Sequence, residues 1–226
     1  ARQSAAPEPL ALPRRGVGHD EGAAEGFASA SHIRELLRSG ACADGFLTPE
    51  SAEIYARECA AGRAPVTMAN AERAILARLR AMREEDFAPF DGGGEGLYHR
   101  FYDAVQRETT IDGILAAAKS KRYAYARLRR LLLAAYLGVT PEDTPQRVPY
   151  LRVLACNARG REVLRRMKTT AAAPILTKSA DVRKLDAEAQ RLFALTARAE
   201  EQYVLAYPDL AAARPGSAWT TDPVIL

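Results

Sequence analysis

Helix start and stop signals recur through residues 27–138, and they restrict this part of the chain to short helices joined by short loops. In TPESAEIYARECAAG, Thr48 is placed to cap a helix, Pro49 suits its first position and Gly62 follows its end. A helix ending at Gly40 is predicted before it, with Ser29 or Ser31 as its cap. Further helices are predicted over about 70–82, 95–106 and 111–118, the last of them capped by Thr110, and they are followed by one that ends at Gly138.

The pattern changes after residue 149. YLRVLACN, residues 150–157, is an apolar run that predicts a buried strand, and Asn157 is placed to cap a helix over about 159–167. PILTK, residues 174–178, predicts a second short strand, and a long helix is predicted over about 181–207. Strand, helix and strand in this order are typical of a βαβ unit with parallel strands. The predicted fold class is therefore mainly α, with a small βαβ insert.

Composition excludes several classes of protein without selecting one. The 226 residues include 32 Lys and Arg against 28 Asp and Glu, a net charge of +4 that does not by itself imply a nucleic-acid partner. The three cysteines, at positions 42, 59 and 156, have no metal-ligand or disulfide spacing, so no metal site is predicted. Without a disulfide framework, a reducing cytoplasm fits best. The longest apolar run is too short to cross a bilayer, so no membrane partner is predicted.

The distribution of charge is more informative than its sum. KSKRYAYARLRR, residues 119–130, holds six basic residues and no acidic one, and a leucine run follows. Taken as one continuous helix, the segment places its apolar residues on one arc, namely Ala124, Leu128, Leu131, Leu132 and Ala135. The opposite arc is cationic and consists of Lys119, Arg122, Arg129 and Arg130, with Tyr123 among them and Arg127 at its edge. Lys121 falls on the apolar side, and Tyr125 lies near the border.

A stripe of cations without interspersed carboxylates favours a polyanionic partner. A solvated helix face normally mixes the two signs, because like charges one turn apart repel. RNA phosphates would remove that repulsion, and Tyr123 within the stripe could stack on an unpaired base. Carboxylates from other helices could neutralise the stripe instead. A membrane-surface helix fits less well, because its apolar face is Leu and Ala without an interfacial Trp.

ASASHIR, residues 28–34, is a second candidate site. Serine hydroxyls and backbone N–H groups at a helix start, with Arg34 in the first turn, suit a phosphate group. An ordinary N-cap is the commoner explanation of the same residues.

Taken together, these segments resemble the C-terminal region of the bacterial tRNA(Met) cytidine acetate ligases. The blocks that carry the resemblance are KSKRYAYARLRRLLLAAYLG (119–138), YLRVLACNARGREVL (150–164) and PILTK (174–178). LPRRGVGHDEG followed by FASASHIRELL is similar to the end of that family's Rossmann-like nucleotidyltransferase domain. The resemblance implies a domain remnant over residues 1–40 and a helical, tRNA-binding domain with the small α/β element over residues 41–226.

The resemblance also implies a reaction and its site residues. ATP, with Mg²⁺, and acetate would form acetyl-adenylate, and the acetyl group would pass to the wobble cytidine of elongator methionine tRNA. The ATP-binding residues implied are Arg14 (with Arg15 as the close alternative), Ser29, Ser31 and Arg34. The RNA-binding residues implied are Lys119, Lys121, Arg122, Tyr123, Arg127, Arg129 and Arg130.

One departure from the family pattern limits this interpretation. The family's His-x-x-His phosphate motif is missing, since the three histidines are His19, His32 and His99. The chain is therefore expected to be a C-terminal portion that binds tRNA but does not form acetyl-adenylate alone, and no catalytic residue is assigned. The alternative is a non-catalytic helical RNA-binding module, and a weaker one is a helical domain that binds an acidic protein.

Overall fold

The computed structural model of the chain describes residues 9–13, 16–18, 22–24, 26–41, 43, 45–91 and 96–226. The chain divides into two compact units, Ala1–Pro65 and Val66–Leu226. This division falls later than the predicted boundary between residues 40 and 41. The assignment of ATP and tRNA to the two sides of that predicted boundary stays a prediction.

The first unit contains a short antiparallel pair, β1 (Ala23–Ala24) and β2 (Phe27–Ala28), followed by α1 (Ala30–Ser39) and α2 (Pro49–Ala60). Both helices begin as the sequence predicts, because Ser29 and Thr48 cap them through their side-chain oxygens. α1 ends at Gly40, which takes the left-handed conformation with φ of 71°.

The second unit begins with four helices around one core. They are α3 (Glu72–Arg80), α4 (Leu97–Arg107), α5 (Ile111–Ala118) and α6 (Tyr125–Leu137), with a 3-10 segment, Glu84–Phe90, before α4. Thr110 caps α5 as predicted, since its side-chain oxygen accepts from the Gly113 N–H. The largest fully buried side chains of this core include Phe87, Phe101, Ile114, Leu128 and Leu132. Burial of these apolar surfaces is the main driving force for assembling the four helices.

The predicted βαβ unit is present and its parallel pairing is confirmed. β3 (Leu151–Arg152) pairs in parallel with β5 (Ile175–Leu176), and α7 (Ala158–Thr170) connects them. The Asn157 side chain caps α7, as predicted, by accepting from the Gly160 N–H at 2.8 Å. Within this unit the chain therefore follows the strand–helix–strand order that the sequence indicates.

The single buried strand predicted over residues 150–157 is wrong in two respects. It is two short strands, β3 and β4 (Ala155–Cys156), and Leu154 between them is 70% exposed. β4 pairs in parallel with β6 (Val224–Ile225), which lies in a tail that shows no strand pattern in the sequence. Two-residue strands produce no detectable alternation, because one residue on each face cannot repeat.

The predicted helix over 181–207 is shorter in the structure. It is α8 (Ala187–Tyr203), preceded by a 3-10 turn, Ser179–Lys184, and capped by Asp186. α9 (Ser217–Thr220) follows, and a second small core contains Leu176, Val182, Phe193, Ala197 and Ala218.

Asp143 joins the loop after α6 to α8. Its carboxylate accepts from the Thr140 N–H at 2.8 Å and from the Thr140 hydroxyl at 3.1 Å, and it forms an ion pair with Arg191. The Thr140 backbone N–H is the main cause of a lowered pKa of Asp143, to which the Thr140 hydroxyl and Arg191 add, while burial opposes it. A lowered pKa means that the ionised carboxylate stabilises the folded chain.

We expect Asp143→Asn to lower the free energy of unfolding by about 1 kcal/mol at pH 7. The stabilisation by Asp143 is complete above its unfolded-state pKa, about 4, and is lost as the pH falls through the lower folded-state value. The difference between the two proteins should therefore shrink below pH 4 in denaturant unfolding curves. Glu142→Gln, at an exposed neighbouring carboxylate, is the control. A loss that stayed constant down to pH 2 would contradict this role.

Candidate nucleic-acid interface

The basic segment is not one continuous helix, so the predicted helical stripe is wrong in its first half. α5 ends at Ala118 and α6 begins at Tyr125, and residues 119–124, here called the basic turn, connect them. Within the turn the Tyr123 N–H donates to the Ser120 carbonyl at 3.3 Å. Lys119, Lys121 and Arg122 therefore lie on the turn, whereas Arg127, Arg129 and Arg130 lie on α6.

Arg100 of α4 explains part of this break. Its guanidinium donates to the carbonyls of Ala118 at 2.8 Å, Ala117 at 3.0 Å and Lys119 at 3.2 Å. The last carbonyls of a helix have no partner within the helix, and a cation at that end also offsets the helix dipole. Arg100 therefore stabilises the end of α5 from a distance of 17 to 19 residues along the chain.

Tyr123 does not occupy the exposed position that was predicted for it. Its side chain is only 7% exposed and belongs to the main core, with the guanidinium carbons of Arg122 and Arg127 at 5.8 and 5.3 Å from the ring centre. A ring buried in this way cannot stack on a base. The accessible ring is that of Tyr125, which is 43% exposed and lies 5.6 Å from the Lys119 ammonium nitrogen.

Arg127 has a structural partner. Its guanidinium donates to the Asp91 carboxylate at 3.3 Å and to the Asp91 carbonyl at 3.2 Å. The Asp91 side chain is 2% exposed and that of Arg127 is 29% exposed, and the same carboxylate accepts from the Leu97 N–H at the start of α4. A carboxylate from elsewhere in the fold therefore balances Arg127, which was one of the alternatives for the whole stripe.

The other cations of the segment are exposed. They are Lys119, Lys121, Arg122, Arg129 and Arg130, and together they are called here the cationic surface. Across the ranges that the structure describes, no ion pair involves Lys121, Arg129 or Arg130. Leu128, Leu131, Leu132 and Ala135 of α6 are buried as predicted, so α6 presents Arg129 and Arg130 to solvent.

A cleft of about 380 Å³ lies beside the ion pair of Asp91 and Arg127. Arg130 and Leu131 of α6 and Thr140 of the following loop also line it. The cleft therefore extends from the exposed Arg130 to the partly buried ion pair of Asp91 and Arg127. The charged lining consists of the guanidinium groups of Arg127 and Arg130 and the carboxylate of Asp91, which gives one net positive charge.

The predicted ATP-site residues are placed as follows. The Ser29 side chain is 1% exposed and its hydroxyl accepts from the His32 N–H at 3.2 Å, so it serves as the cap of α1. Ser31 and Arg34 lie exposed on the first turns of the same helix. Arg14, like its alternative Arg15, lies outside the described residues. Ligand binding by these residues stays a prediction.

Within the described ranges, no three His, Cys, Asp or Glu side chains form a group suited to a metal ion. None of the helices described is both long and apolar enough to cross a bilayer.

The family model described as HIGH Nucleotidyl Transferase matches residues 2–216. The chain belongs to the HIGH nucleotidyl transferase family. The tRNA(Met) cytidine acetate ligase of Syntrophomonas wolfei is 27% identical over 228 residues, covering 96% of this chain and 55% of the relative. That of Kosmotoga olearia is 34% identical over 176 residues, covering 75% and 41%.

Solved structures of this family have the same fold. Apo TmcAL of Thermotoga maritima superposes with a TM-score of 0.87 at 27% identity, covering 95% of this chain and 55% of that one. The form bound to alpha-thio ATP gives 0.82 at 28% identity, covering 88% and 52%. The resemblance to the tRNA(Met) cytidine acetate ligases is confirmed. The chain spans about half the length of the relatives that it matches.

The contrast between Arg127 and its neighbour Arg129 is testable by unfolding. Arg127→Gln should lower the free energy of unfolding by roughly 2–3 kcal/mol, because it leaves the buried Asp91 carboxylate without this partner. Arg129→Gln removes the same charge from an exposed site and should change it by less than about 0.5 kcal/mol. Denaturant titration of both variants measures the difference. Equal losses in the two variants would show that the pair with Asp91 has no special role.

Proposed function

We propose that this chain is part of a tRNA(Met) cytidine acetate ligase of the cytoplasm and that its Val66–Leu226 unit binds the tRNA. The observation that supports this most directly is the cationic surface on the basic turn and α6. Its lysine and arginine side chains are exposed. The relatives that the chain resembles are named tRNA(Met) cytidine acetate ligases. Arg127 and Tyr123 are left out of the proposed contact, because both are committed to the fold.

The physical basis of the proposed contact is phosphate neutralisation. Lysine and arginine side chains that contact phosphates release condensed counterions, which provides affinity without reading the base sequence. Tyr125 adds an accessible ring next to these cations, and aromatic rings stack on unpaired bases of any identity. We propose elongator methionine tRNA as the substrate, on the basis of the resemblance alone.

The proposed reaction has two steps. An acetate oxygen attacks the α-phosphorus of ATP, which releases pyrophosphate and forms acetyl-adenylate. The exocyclic amine of the wobble cytidine then attacks the acetyl carbon, which releases AMP and a proton. Ser31 and Arg34 on the first turns of α1, together with Ser29 and Arg14, are proposed to contact the triphosphate, where N–H dipoles and positive charge offset its developing charge.

Mg²⁺ is proposed to enter on the triphosphate oxygens, because proteins commonly bind this ion through substrate phosphates. We further propose that these 226 residues carry only part of the adenylating site. The alternative is a non-catalytic RNA-binding module. Acetate-dependent exchange of pyrophosphate into ATP tests both, since exchange by the 226-residue chain would mean that it is catalytically sufficient. Exchange that appears only in a longer form of the protein favours the ligase over the module.

The RNA contact itself is tested with a tRNA(Met) transcript at several salt concentrations. Replacing Lys121, Arg129 and Arg130 with Gln should weaken binding and lower the slope of log K against log salt by about 2–3, because up to three phosphate contacts are lost. The control removes three other exposed cations, Arg183, Lys184 and Arg214. An equal change in slope for both triple variants would contradict a localised surface.

The role of Tyr125 is tested separately. Tyr125→Ala should weaken binding about 5- to 150-fold, the loss of roughly 1–3 kcal/mol expected for one stacked base. Tyr125→Phe keeps the ring and should bind as the parent does. Fluorescence anisotropy of labelled tRNA measures all three proteins. If the Phe variant bound as weakly as the Ala variant, stacking would not be the interaction.

A further inference from the structure

A second concentration of positive charge lies on α7, which the reaction and the cationic surface do not use. Its 13 residues contain Arg159, Arg161, Arg165, Arg166 and Lys168 against the single carboxylate of Glu162. In the portion of the chain that the structure describes, none of these five cations forms an ion pair. None of the helix's side chains is fully buried. Core packing therefore does not account for the composition of α7.

The cations of α7 are divided between two faces. Arg161, Arg165 and Lys168 lie at spacings of four and three residues, so they share one face with Leu164. Arg159 and Arg166 lie on the opposite side of the helix. Arg161 and Arg165 are about 6 Å apart along the helix axis.

The first of these faces lines a groove of about 490 Å³, here called the α7 groove. Its exposed cations, here called the rim, are Arg161, Arg165 and Lys168 of α7 and Lys178, which follows β5. Its apolar lining, here called the floor, is formed by Val153, Leu164, Pro223 and Ile225, close to the parallel pair of β4 and β6. Asp222 also lines the groove, so four cations face one carboxylate.

The combination of a cationic rim with an apolar floor indicates a ligand with charges along one side and a flat, less polar body. A phosphodiester strand has this character, because it presents one negative charge per nucleotide and its unpaired bases bury well against apolar side chains. The volume falls in the range of pockets that hold small organic molecules, which includes a single nucleotide. An acidic peptide would match the rim but not the floor.

We propose that the α7 groove is a second RNA contact, in which backbone phosphates lie against Arg161, Arg165 and Lys168 and one unpaired nucleotide covers the apolar floor. The inference rests on the proposed RNA-binding function and adds a contact distinct from the basic turn and α6. It assigns a role to α7 that explains why this crossover helix carries an excess of arginine.

The test uses the two faces of the same helix. Arg161→Gln/Arg165→Gln and Arg159→Gln/Arg166→Gln each remove two arginines from α7, so they change net charge equally. The groove variant should bind the tRNA(Met) transcript more weakly and lower the salt slope by about 1.4–1.8, as expected for two lost phosphate contacts. The opposite-face variant should keep the slope of the parent. Circular dichroism and thermal unfolding establish that both variants are folded.

Cys156 provides a readout that does not depend on charge, because it lines the groove and is half-buried in the free chain. Saturating tRNA should slow alkylation of Cys156 in the parent, followed by mass spectrometry, and should leave Cys59 of the other compact unit unchanged. Free ATP at millimolar concentration, added without tRNA, should leave the alkylation of Cys156 unchanged.

The possible outcomes distinguish failure of the α7 contact from failure of the proposed RNA-binding function. Binding by the parent that the groove variant retains, with Cys156 unprotected, overturns the α7 contact and leaves the cationic surface intact. Equal losses in the two α7 variants also overturn it, because general charge would then be sufficient. Slowing of Cys156 alkylation by ATP alone would make the groove a free-nucleotide site. Failure of the parent to bind at all overturns the proposed RNA-binding function and the α7 contact together.

Discussion

The buried carboxylate of Asp91 is the interaction on which the helical core of the second unit depends. It accepts from the Leu97 N–H, which begins α4, and from Arg127 on α6. Two helices that meet at one buried charge cannot shift relative to each other without leaving that charge unpaired, which costs several kcal/mol. The side chains of Phe101 on α4 and Leu128 on α6 can therefore pack in one arrangement.

The same interaction divides the cations of the basic segment into two groups. Arg127 is held against Asp91 and the Tyr123 ring, whereas Arg129 and Arg130 are directed to solvent by the burial of Leu128, Leu131 and Leu132. Six basic residues that look equivalent in the sequence thus have different roles. The distinction depends on a carboxylate 36 residues away, which no local pattern indicates.

Local signals in the sequence were reliable for the helix starts, where the capping residue lies next to the helix that it caps. Thr48, Thr110 and Asn157 cap the helices that they were predicted to cap, and Ser29 caps α1 as one of the two serines predicted for that role. Capping is a contact within three residues, so the local sequence contains it. The parallel pairing of β3 and β5 was also predictable, since the crossover helix between them leaves few alternatives. The break at residues 119–124 was not, because it depends on Arg100 of α4 and on the packing of Tyr123 in the main core, and both contacts involve residues outside the segment.

By itself the sequence determined the order of the helices, the apolar face of α6 and the family to which the chain belongs. These depend on periodicity, on capping within a few residues and on a pattern shared by relatives. Only the tertiary structure decided which tyrosine is exposed, which arginine is neutralised and that the cations of α7 border a groove with an apolar floor. Burial and ion pairing join residues that are distant along the chain, and the sequence of any one segment does not contain its partners.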